Sequence, residues 1–83
     1  MTKSIYAILD EKAKSIGPLF VCENNEVAMR LVAQSYTDPN CLPCRYPSDF
    51  ALLCLGDIDT STGEITRCVL PDLVNKLDVI LKV

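Results

Sequence analysis

Hydrophobic and polar positions divide the chain into short elements. Ile5, Tyr6, Ala7, Ile8 and Leu9 form an apolar run, rich in β-branched and aromatic residues, that is closed by Asp10 and Glu11; this predicts a strand. Residues 12–18 are polar and end in Gly17-Pro18, the chemistry of a hairpin loop, and residues 19–22 then predict a second strand antiparallel to the first. Asn24 has the side chain of a helix N-cap, and Glu26 places a negative charge in the first turn. Val27, Ala28, Leu31, Val32, Ser35 and Tyr36 recur at three- and four-residue spacing, so a helix is predicted over about residues 25–36, ended by Asp38-Pro39-Asn40.

Residues 39–48 hold Pro39, Pro43 and Pro47 and predict an irregular loop. Phe50, Ala51, Leu52, Leu53, Cys54 and Leu55 are apolar without alternation, as in an inner strand packed on both faces. Asp57-Ile58-Asp59 continues that strand, residues 60–63 supply turn chemistry, and residues 64–69 form the returning arm of a hairpin. Leu73, Val74, Leu77, Ile80 and Leu81 share a helical stripe over residues 72–81, with Pro71 suited to the first turn; residues 79–83 read equally as an edge strand. The expectation is a single α+β domain spanning residues 1–83. It has a small antiparallel sheet of about four strands and two helices, in ββαββα order.

Composition narrows the function. Eight Lys and Arg against eleven Asp and Glu give a net charge of −3, which argues against a generic basic coat for nucleic acid. There is no His, so the commonest general base and metal ligand is missing, and no enzymatic activity is expected. The N-terminal residues carry no apolar core of a secretion signal, and no run reaches the ~20 apolar residues that cross a bilayer. The expected location is therefore the cytoplasm, with no membrane contact and with five reduced cysteines.

Three constellations bear on chemistry. Cys41-Leu42-Pro43-Cys44 has redox or zinc spacing, but the remaining cysteines are scattered and no amphipathic helix is predicted after it, so plain loop thiols and no cofactor are expected. Asp57, Asp59, Ser61 and Gly63 alternate like the start of a calcium loop, yet the sixth and twelfth positions hold Thr62 and Cys68 where Gly and Glu are required, so a polar hairpin turn is expected. The residues suited to contact a partner or nucleic acid are Lys12, Lys14, Arg30, Arg45 and Tyr46, in which Arg45-Tyr46 is the one adjacent cation–aromatic pair.

An ordered set of motifs also runs through these elements: Tyr6-Ala7-Ile8-x-Asp10, Pro18-Leu19-Phe20, Asn24-x-x-x-Ala28-x-Arg30, Asp38-Pro39, and Pro47-x-Asp49-Phe50-x-Leu52-x-x-Leu55-Gly56-x-Ile58-Asp59 with Thr62-Gly63. Over about residues 5–65 this resembles the small non-structural protein of gokushovirus-type microviruses, which are single-stranded-DNA phages. The chain departs from that pattern in its Cys-rich loop and in Ile58, where an aromatic is more usual. The resemblance implies a role, like that of the microvirus packaging protein C, in switching from duplex replication to packaging of single-stranded DNA. The implied partners are phage or host replication proteins or the procapsid, in the host cytoplasm, with a homo-oligomer as a further reading. It carries over no catalytic residue. The alternative is a protein that binds single-stranded DNA directly.

Overall fold

Four strands, β1 (Thr2–Asp10), β2 (Ser15–Cys22), β3 (Phe50–Asp59) and β4 (Ile65–Lys76), form one antiparallel sheet of order β2-β1-β3-β4 in a computed structural model that describes residues 1–82. Helices α1 (Asn25–Ser35), α2 (Leu42–Arg45) and α3 (Leu77–Ile80), with a 3-10 turn at Pro47–Asp49, complete an α+β fold. The order of the four strands and the long helix is the one the hydrophobic pattern predicts.

The unbroken apolar run does place β3 inside the sheet, between β1 and β4. Its side chains alternate. Phe50 and Leu52 join Tyr6, Ile8 and Cys22 in the core beneath Ala28 and Val32 of α1 and Leu77 of α3. Ala51 and Leu53 are buried but lie outside that cluster, on the opposite face of the sheet. Tyr6, Leu52 and Leu77 are the largest fully buried side chains. Tyr6 stacks on Phe20 with ring centroids 5.8 Å apart, and its hydroxyl donates to Asn25 Oδ1 at 2.8 Å. Burial thus supplies hydrophobic stabilisation while the one polar atom of the ring finds a partner. At the head of α1, Asn24 Oδ1 accepts from the Val27 N–H at 3.0 Å, as the N-cap reading requires.

Four expectations are corrected. Residues 72–76 are strand, because Leu73 pairs with Leu53, Asn75 with Leu52 and Lys76 with Ala51; only residues 77–80 keep the helical turn. An apolar stripe fits either period over so few residues, and pairing with an inner strand decides it. Pro71 falls not in a helix but in an irregularity of β4, where residues 68–71 face Leu55 alone. An edge-strand bulge tolerates a residue without an N–H. Gly17-Pro18 belongs to β2, beside its register shift against Ala7 and Leu9, so the loop contracts to residues 11–14. Residues 39–48 contain two helical turns instead of irregular loop: Pro43 and Pro47 sit in first turns, where a missing N–H costs nothing, and the helix count rises to three. The edge-strand alternative for residues 79–83 fails through Lys82; Val83 lies outside the described residues.

Gly56 marks the closest approach of β3 to β4. A Cβ there would strike the Thr66 carbonyl oxygen and lie 2.7 Å from the Arg67 Cα.

Truncating the seam between sheet and helices is expected to be costly. Leu52→Ala should lower stability by about 2–5 kcal/mol, whereas Leu70→Ala, at a residue 75% exposed, should stay within about 0.5 kcal/mol. Urea unfolding followed by circular dichroism checks both.

Candidate functional site

The β1–β2 turn is built on Asp10, whose Oδ1 accepts the N–H groups of Lys12 at 3.0 Å and Ala13 at 3.1 Å. Lys14 closes the turn with a φ of 55°. The turn is fastened to the segment before β3, because the Glu11 N–H donates to the Asp49 carbonyl at 2.9 Å and Lys76 Nζ meets Glu11 Oε1 at 2.8 Å. Across this fastening stands α2. Arg45 ends it, and its guanidinium carbon lies 5.4 Å from the centroid of the Tyr46 ring, a cation–π arrangement on a ring that is 47% exposed.

A shallow cavity of about 180 Å³ results, lined by Asp10, Lys12, Leu42, Tyr46, Asp49 and Phe50. Of the five residues proposed from sequence, Lys12 and Tyr46 line it, Arg45 stacks at its edge and Lys14 belongs to the same turn. Arg30 does not join them. It borders a separate depression with Glu26, Met29, Asn75 and Val79, between α1 and α3. Among the described residues, Lys12, Lys14, Arg30 and Arg45 take part in no ion pair; the pairs formed are Lys3–Glu23, Lys76–Glu11 and the N-terminal amine with Asp59.

Leu42, Asp10 and Asp49 are members of the site that residue type alone missed. The two carboxylates put negative charge among the cations, so the surface is mixed rather than positive. The signal for Asp10 was its place before a turn, and for Asp49 its place before an inner strand; neither fact joins them without the fold.

The candidate calcium loop is a hairpin turn: the Ser61 N–H donates to Asp59 Oδ1 at 2.8 Å and the Gly63 N–H to the Asp59 carbonyl at 2.7 Å. Among the described residues, no three His, Cys, Asp or Glu side chains cluster as metal ligands would. Cys41 is the N-cap of α2, a helical turn the sequence reading left out, yet its side chain makes no capping bond. All five cysteines are free. The Cys44 thiol is held protonated, its pKa pushed up to about 11, first by a hydrogen bond with Cys41 and then by desolvation. It also donates to the Tyr36 carbonyl at 3.2 Å. Burial likewise raises the pKa of Cys22 and of Cys68. Thiols held protonated are poor nucleophiles and poor metal ligands at neutral pH.

The family model described as Phage ORF5 protein matches residues 3–79, and the chain belongs to that family. No curated protein and no solved structure gives a match.

The thiol geometry sets a rate. Alkylation of Cys44 by iodoacetamide at pH 8 should run roughly 10- to 100-fold slower than that of free cysteine, because so little of it is thiolate. Cys41→Ala should recover most of the difference, since the Cys41 hydrogen bond is the leading cause of the shift. Site-resolved mass spectrometry of a time course measures both.

Proposed function

We propose that this member of the Phage ORF5 protein family is a non-enzymatic adaptor in single-stranded-DNA replication and packaging. In this reading it binds the phage or host replication complex or the procapsid in the host cytoplasm. The ordered motifs shared with the gokushovirus non-structural protein support the viral context. The observation that carries the protein-binding reading is the mixed surface where the β1–β2 turn meets α2. Tyr46 and Leu42 are exposed there at 47% and 56%, beside Lys12, Arg45, Asp10 and Asp49. Tyr and Arg are the residues that most often anchor protein interfaces, because they bury large area and still offer donors at the rim. Interspersed carboxylates select a partner of matching pattern and repel a uniformly anionic one. The absence of His and the protonated thiols support the non-enzymatic part.

Direct binding of single-stranded DNA is the second reading. Arg45 stacked on Tyr46, with Lys12 and Lys14 in the neighbouring turn, is the observation that favours it, since bases stack on exposed aromatics flanked by cations. Against it stand Asp10 and Asp49 in the same cavity and the position of Arg30 outside it. Three unpaired cations are too few for binding that survives physiological salt, because each neutralised phosphate contributes one salt-sensitive increment.

Two measurements separate the readings. Affinity capture from infected cells should return phage or host replication proteins or procapsid with and without nuclease, and Tyr46→Ala with Arg45→Ala should lose them. A salt titration with fluorescent single-stranded DNA should show binding lost above ~50 mM salt. Micromolar binding at ~150 mM salt, with a slope for three or four phosphates, would instead establish the DNA-binding role.

A further inference from the structure

We infer that Cys41 and Cys44 are the site of a reversible modification, in which the two thiols close an intramolecular disulfide by exchange with a low-molecular-weight disulfide. The chain is the substrate of this step and not its catalyst. The inference is independent of the partner reading of the neighbouring patch.

Backbone geometry brings the two residues together. Leu42 and Pro43 between them are helical, and the Cys41 carbonyl accepts the N–H groups of Cys44 at 3.1 Å and Arg45 at 3.0 Å. Residues three apart across a helical turn have Cα atoms about 5 Å apart. A disulfide accepts a Cα separation of roughly 4.4–6.8 Å. Pro43 stiffens the turn, since its ring fixes φ. The two thiols are in hydrogen-bonding contact, and both residues are half-buried, which leaves part of each open to a small reagent. Cys22, by contrast, is buried in the core. Cys68 also lies near Cys54, but those two stand on different strands, where β3 and β4 lose register between Cys54 and Gly56.

Cys41 reacts first: its thiolate, the proton released to water, attacks one sulfur of the small disulfide. That S–S bond breaks, and the far half leaves as a thiolate and takes up a proton. A mixed disulfide remains on Cys41. Cys44 then loses its proton and attacks the Cys41 sulfur, the second half leaves in the same way, and the new S–S bond joins the two residues. Two thiols of the chain are oxidised while one small disulfide is reduced to two thiols. The order follows from the site, because the leading cause that keeps Cys44 protonated is its hydrogen bond with the Cys41 thiol, and reaction of Cys41 removes that cause. At Cys68 the leading cause is burial, followed by the Asp72 charge, and a reaction at Cys54 lifts neither. Closure also consumes the S–H that Cys44 donates to the Tyr36 carbonyl, which favours the reduced pair at rest. A ring this short constrains the unfolded chain little, so the bond is easily reduced again.

The test treats the purified full chain with glutathione disulfide near neutral pH, quenches with acid, alkylates the remaining thiols in denaturant and maps every cysteine by mass spectrometry. The expected product is a Cys41–Cys44 bridge, lost again on adding reduced glutathione, with Cys22, Cys54 and Cys68 alkylated. Cys44→Ser keeps a donor for the Tyr36 carbonyl and should stop at a mixed disulfide on Cys41. Pro43→Gly loosens the turn and should close several-fold more slowly, with the mixed disulfide accumulating. Far-UV circular dichroism checks that each variant is folded, and Cys44→Ala replaces Cys44→Ser should its dichroism fall. Wild type that gains no bridge, that bridges Cys54 and Cys68 first, or that retains as much mixed disulfide as Cys44→Ser overturns the inference. So does a folded Pro43→Gly variant that closes as fast as wild type.

Discussion

A chain of 83 residues must build its core from few side chains, and here that core is anchored by a phenol. Tyr6 is completely buried, so its hydroxyl must be satisfied inside the protein. The Asn25 side chain meets it at 2.8 Å, and Asn25 is the first residue of α1. This bond fixes where the helix begins over the sheet. Asn24, one residue earlier, caps the same helix through the Val27 N–H, so the two asparagines hold the helix start from inside and outside. The stripe of Ala28 and Val32 then falls over Ile8 and Leu52. Burial of Tyr6 also raises its pKa, chiefly by desolvation, so the hydroxyl keeps its proton and its role as donor across the physiological range.

From that seam outward the structure becomes less regular. The two inner strands, β1 and β3, pair along nearly their whole length, with one shift between Ile5 and Tyr6. The edge strands carry the larger disturbances. β2 shifts around Gly17-Pro18, and β4 leaves residues 68–71 facing Leu55 alone, with Val69 exposed at 92%. Bulges and prolines at sheet edges deny a neighbouring chain the regular row of donors it would need to extend the sheet. The edges are thus guarded against extension by another strand.

How much was legible follows the same gradient. Wherever burial imposed a strong period, the sequence predicted the element: the strand of Tyr6, the capped helix after Asn24 and the inner strand of Leu52 all stand where their patterns put them. Legibility failed where local preference and long-range pairing disagreed. Leu73, Val74 and Leu77 fit a helical stripe, but strand pairing with Leu53 and Leu52 captures residues up to Lys76, and no window of sequence contains that partner. The loop of prolines failed differently, because Pro43 and Pro47 start short helical turns as readily as they break long ones. At the site, residue type singled out Lys12, Arg45 and Tyr46. Only topology, through the hydrogen bond from Glu11 to Asp49, brings residues more than thirty positions apart to one cavity. Arg30 met the same criterion of type and fell elsewhere, since its helical position is set by the stripe of Ala28 and Val32 and not by any demand of the site.

The mixed patch and the sheet obey different physics. The mixed patch at the β1–β2 turn is wet, charged in both signs and anchored by one aromatic ring, so its contacts are selective and sensitive to salt. In the sheet, Ala7, Ala51 and Leu53 are buried by their neighbours on the face away from the helices, and such apolar packing is indifferent to salt. Raising the salt concentration therefore weakens what the patch holds and leaves the packing of the sheet unchanged.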